Sequence, residues 1–137
     1  MPGRYIQLPN AEISTVEDSF GRIKVRIGDL RVVKSEGIPG VNESTLWRNA
    51  ATVEFEEAEI DGDLPALPAR VTTGDITLNG ITYRDMIALP LDQNGFAELE
   101  LSFAGGAKVT ISASERIRIE LDGPGNYIEH IAATKGR

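Results

Sequence analysis

Cysteine is absent from all 137 residues, and histidine occurs once, as His130. The first absence excludes disulfides, thiolate metal sites, thiol nucleophiles and iron–sulfur clusters. The second excludes multi-histidine metal sites within one chain. Aromatic residues make up only 6% of the chain, with a single tryptophan, and no row of rings is spaced for stacking sugars or single-stranded nucleic acid. No apolar run approaches the ~18 residues of a membrane span, and Met1-Pro2-Gly3-Arg4-Tyr5 lacks the apolar stretch of a secretory signal, so the cytoplasm is the expected location. No glycine-rich loop leads from a strand into a helix, and Gly-x-Ser-x-Gly does not occur. Phosphate-cradling, dinucleotide and nucleophile-elbow motifs are therefore missing. No catalytic residue and no cofactor is predicted.

Charge is present but uneven. Of the net −7, residues 51–100 hold eleven acidic groups against Arg70 and Arg84, while the flanking stretches nearly balance. Nucleic acid and anionic membrane bind through phosphate neutralisation, so neither is an expected partner. The length suits one β domain over residues 1–137, with 132–137 as a frayed tail.

Apolar and polar residues alternate from about residue 69 to residue 121. Ile76 to Tyr83 reads as two strands around an Asn79-Gly80 turn, a pair that tolerates the positive φ of a type I′ hairpin. Asp92-Gln93-Asn94-Gly95 is expected to separate Met86–Leu91 from the strand of Ala97, Leu99, Leu101 and Phe103. Gly105-Gly106 then turns the chain into Val109, Ile111 and Ala113, continuing in phase through Ile117, Ile119 and Leu121. Glu115 falls on the inward phase, which predicts a bend, bulge or break. Earlier, Ile23, Val25 and Ile27 give way in phase to Leu30 and Val32, either across a Gly28-Asp29 turn or through a bulge in one strand. A further slip at Glu56-Glu57 brings in Ala58 and Ile60.

Residues 35–44 have loop composition, 64–68 are too proline-rich for a central strand, and Gly123-Pro124-Gly125 is expected to end the last long strand before Tyr127. Short helices are expected, at most two, capped by Asn10 and Ser44. The fold class is mainly β: an antiparallel sandwich, jelly roll or barrel of about 8–10 strands.

Four features bear on function. The run Glu54, Glu56, Glu57, Glu59, Asp61, Asp63 reads as a solvated strand face, with Glu59, Asp61 and Asp63 as calcium candidates because an extended backbone aims all three one way. Arg22, Lys24, Arg26 and Arg31 form a basic face, expected to pair with that acidic strand. Trp47 is either a core anchor or a binding surface. Tyr127 and His130 join Trp47 as candidate ligand-binding residues. The leading expectation is a non-catalytic interaction module that pairs with protein, itself or another, through a sheet face or edge, with a homodimer as the expected form. The alternative is a small-molecule-binding β cavity lined by Trp47, Phe55, Phe103 and Tyr127, with weak carboxylate-based enzymatic activity.

Overall fold

The computed structural model of the protein, which describes residues 3–36 and 43–132, turns this alternation into strands and, among the described residues, no helix. The strands are β1 (Gly3–Ser19), β2 (Arg22–Ser35), β3 (Ser44–Gly62), β4 (Ala69–Leu78), β5 (Ile81–Arg84), β6 (Met86–Leu89), β7 (Leu91–Asn94), β8 (Ala97–Phe103) and β9 (Lys108–Ile131). All pair antiparallel in one large sheet. β1, β2, β3, β9, β8 and β4 are neighbours in that order, and β4 pairs back to β1 through Arg70↔Glu12 and Ala69↔Ile13. The path of pairings therefore returns to its start, a barrel-like arrangement of long strands. The three short strands lie beside it: β5 on β4, β6 on β1 and β7 on β9.

The core follows from the period of two. Ile23, Val25 and Ile27 on β2, Val53 and Phe55 on β3, Leu99 and Leu101 on β8, and Ile117 and Ile119 on β9 are all buried in one hydrophobic cluster. Each such side chain contributes roughly 1.5–3 kcal/mol relative to exposure. The Asn79-Gly80 turn forms as the sequence predicts: both residues have positive φ, 48° and 88°, and Leu78 sits opposite Ile81. The slip after Phe55 is also present, with Glu57 at φ 53° and Ala58 buried. Opposite it, β9 bulges at Ser114 and Glu115, which turns the Glu115 side chain to solvent.

Several expectations are corrected. The segment after Asn10 and the segment after Ser44 belong to β1 and β3, not to helices. Ile13, Thr15 and Val16 are β-branched and favour the strand, and Asn10 marks a bulge at φ 68°. Of the two readings of Gly28-Asp29, the bulge within one strand forms and the hairpin turn does not. β2 runs straight through this pair, with a register shift against β3 between Ile27 and Leu30 that keeps both residues inward. Asp92, Gln93 and Asn94 form β7, and the turn comes afterwards at Gly95, whose N–H donates to the Glu115 carbonyl.

Gly123-Pro124-Gly125 does not end β9 either. The strand absorbs the irregularity in a register shift beside Arg48 and Ala50. There the buried Asn49 amide donates to the carbonyls of Ala50 at 2.9 Å and Asp122 at 3.2 Å, satisfying groups the ladder leaves open. The centre of the expected 35–44 loop and the tail beyond Ala132 lie outside the described residues.

Short strands need clamps. On β7, the Asp92 carboxylate accepts two hydrogen bonds of 2.7 Å from the Arg116 guanidinium, which also lies 3.3 Å from Glu56. The fork-to-fork bond with Arg116, with its charge and that of Arg118, holds the Asp92 carboxyl below its ordinary value of 3.8. A depressed carboxylate pKa adds stability that is complete above the ordinary value and lost as pH falls through the lower, folded-state one. The melting-temperature gap between wild type and Asp92→Asn is thus expected to hold from neutral pH down to about 4 and to close in more acid solution. Asn49→Ala, which orphans buried carbonyls, is expected to cost about 1–3 kcal/mol in urea unfolding.

Candidate functional site

At one end of the sheet the register lines up two rows of side chains on a single face. The inner row is Ile87, Ile6, Val32, Trp47 and Tyr127, taken across β6, β1, β2, β3 and β9. Two residues further along each of the first four strands lies the outer row: Leu89, Arg4, Lys34 and Thr45, with His130 on β9. A register shift between Leu46 and Trp47 leaves Ile128 of β9 without a partner on β3, so Tyr127 and His130 reach the same face although three residues apart.

Burial along the inner row falls from one side to the other. Ile6, Val32 and Ile87 belong to the core, Trp47 packs against it half-buried, and Tyr127 is 55% exposed. Exposure rises because β9 has no strand on its outer side beyond Ile119 among the described residues. Trp47 and Tyr127 meet edge to face, with ring centroids 5.5 Å apart, a geometry the ring quadrupoles favour. The Lys34 ammonium stands 3.8 Å above the Trp47 ring, and the Trp47 indole N–H donates to Thr45 Oγ1 at 2.8 Å.

All five residues of the outer row line one open cleft of about 620 Å³, together with Pro90, Glu36 and Glu43. His130 Nε2 lies 3.5 Å from Glu43 Oε1. The cleft thus runs from the β6 side to the β9 side, with the apolar row beyond it toward the core.

The three ligand-binding candidates from the sequence, Trp47, Tyr127 and His130, are therefore brought to the same end of the molecule. The four residues named for an internal cavity are not brought together. Phe55 and Phe103 are fully packed core residues on the body of the sheet, away from Trp47 and Tyr127. Glu59, Asp61 and Asp63 are exposed, and among the described residues no group of three or more His, Asp or Glu side chains is arranged to hold a metal ion. Of the basic face, Lys24 pairs with Glu54 of the acidic strand as expected, while Arg26 turns to Glu17 of β1 and Arg31 to Asp29 of its own strand.

Sequence reasoning did not single out Arg4, Lys34 and Thr45. One signal was available: Lys34 continues the inward phase of Leu30 and Val32, where a cation is out of place unless something solvates it. Among the described residues no helix is long and apolar enough to cross a membrane. Comparison with protein-family models, with curated proteins and with solved structures finds no match. The geometry itself, an all-β domain with a polar cleft at one end and an open strand beside it, carries the functional reading.

The division of labour between the two rings is testable. Trp47→Ala is expected to lower stability by about 2 kcal/mol or more, because core contact and the Lys34 cation–π contact go together. Tyr127→Ala is expected to cost less than about 1 kcal/mol in the same denaturant titration.

Proposed function

We propose that this chain is a non-catalytic interaction module, a β-barrel domain that pairs with a second copy of itself by strand addition along the outer edge of β9, residues 126–131. The observation that carries this reading is the open edge. β8 and β7 cover β9 through Ile119, and among the described residues no strand lies beyond. Unpaired N–H and C=O groups in a row are a template for another strand unless blocked. The part of β1 beyond Ile13 also lacks a second neighbour among the described residues but carries the charges of Glu17 and Asp18. The other outer strands are short, four residues each in β5, β6 and β7, with Asp85 and Pro90 between them. Such brevity is a usual means of blunting an edge. The edge of β9 is longer, and it exposes Tyr127 and Ile128.

An antiparallel edge is self-complementary about a two-fold axis. With the axis at His130, each Glu129 faces Ile131 of the second copy, so the two glutamates are not placed opposite each other. Nothing in this reading requires a cofactor.

Native mass spectrometry of the purified chain is expected to show a dimer of the 14.8 kDa mass. Ile128→Lys places a solvated cation on the edge, at a position without a β3 partner. It is expected to give a monomer with the melting temperature of the isolated fold retained within a few degrees. A wild-type chain that stays monomeric at tens of micromolar excludes self-pairing, and a dimer untouched by Ile128→Lys excludes this edge.

A further inference from the structure

The cleft holds two cations that no described carboxylate neutralises. Every described lysine and arginine except Arg4, Arg22 and Lys34 has a carboxylate within salt-bridge distance. Arg22 stands alone at the opposite end of β2. Arg4 and Lys34 are direct cross-strand partners, and both line the same cleft. Like charges placed opposite each other repel, and in a chain with net charge −7 a compensating carboxylate is easily supplied. The two carboxylates that line the cleft do not supply it: Glu43 is turned to His130, and Glu36 is exposed at the end of β2 without an ion pair to either cation.

On the wall formed by Arg4, Lys34 and Thr45 the chemistry is one-sided. Arg and Lys are donors only. Thr45 Oγ1 already accepts the Trp47 indole N–H, which leaves its own O–H to donate. Lys34 is held at a fixed height over the Trp47 ring, so its remaining N–H groups are pre-positioned. A guanidinium, an ammonium and a hydroxyl on three adjacent strands therefore present donors to one cleft. What satisfies them together is a group with several acceptor oxygens and negative charge. We propose that this cleft is a binding site for a small oxyanion-bearing molecule, a carboxylate or a phosphate, held by Arg4, Lys34 and Thr45. The three donors stand on β1, β2 and β3, off the β9 edge, so the site does not depend on pairing, although His130 of that edge also lines the cleft.

Trp47 is the only tryptophan, and Lys34 lies against it, so its emission reports on the site. The full chain is titrated with inorganic phosphate and, separately, with succinate, at ionic strength held constant with sodium chloride. The expected result is a saturable change in Trp47 emission, matched by calorimetric heat, with at least one probe. Arg4→Gln and Lys34→Gln are each expected to weaken the apparent Kd about tenfold or more. The melting temperature is expected to be unchanged in Arg4→Gln and slightly lowered in Lys34→Gln, which gives up the cation–π contact. Binding is followed by calorimetry because Lys34→Gln alters the emission by itself. Arg22→Gln leaves the Kd unchanged. Response to one probe alone assigns the oxyanion type, and response to both assigns oxyanions generally. No saturation with either probe, or binding that survives both cleft substitutions, overturns the site. The Ile128→Lys protein is expected to bind as wild type does, so a failure of self-pairing and a failure of the cleft are read separately.

Discussion

The closed path of pairings depends on a narrow seam. β1 and β4 meet through only two residue pairs, Glu12↔Arg70 and Ile13↔Ala69, and one carboxylate ties that seam to the adjoining strands. Asp29, 18% exposed, lies 3.2 Å from Arg70 of β4, 3.2 Å from Arg48 of β3 and 3.8 Å from Arg31 of β2. Arg70 also donates to the Asn10 carbonyl of β1 at 2.7 Å. Four strands converge on this charge cluster. Its Oδ1 atom has the Arg48 charge beside it without an aligned hydrogen bond, so electrostatic attraction rather than hydrogen-bond geometry holds it on that side. Exposed ion pairs contribute little, but a partly buried carboxylate facing three guanidiniums is costly to lose.

The seam continues through Asp85. Its carbonyl accepts from Leu8 N–H at 2.8 Å and its N–H donates to the Gly74 carbonyl at 2.9 Å. One residue between β5 and β6 thereby joins β1 to β4 where those strands diverge. Gly74 permits this approach: a Cβ there would stand 2.7 Å from Leu8 Cδ1, closer than packed carbons allow. With the ring closed at this level, β1, β2, β3 and β9 extend past it at the end where Arg4, Lys34, Thr45 and His130 face one cleft.

Much of the strand content was legible in the residues because period two is a local property. The inward phases of β8 and β9, the Asn79-Gly80 hairpin and the slip at Glu56-Glu57 all follow from which neighbours are apolar. The misreadings share a cause. Gly28-Asp29, Gly123-Pro124-Gly125 and the segment after Asn10 look like turns or helix starts, yet each is an irregularity inside a long strand. A bulge and a turn use the same residue types. Which one forms is settled by distant partners, Arg48 and Arg70 for Asp29, and Asn49 for Asp122 and Gly123.

The candidate site divides along the same line. Trp47, Tyr127 and His130 drew attention as residue types with binding chemistry, and the sequence alone supplied that much. Arg4 and Lys34 are thirty positions apart and carry no motif, so only the register of β1 against β2 made them neighbours. By itself the sequence determined the all-β class, the lack of thiol and multi-histidine chemistry, and the faces of most strands, since these depend on composition and on spacing within a few residues. The tertiary structure alone decided that β4 pairs back to β1, that among the described residues no strand covers β9 beyond Ile119, and that Arg4 and Lys34 share a cleft with no described carboxylate in salt-bridge reach. Strand order and register are long-range pairings, and no local pattern encodes which strand lies beside which.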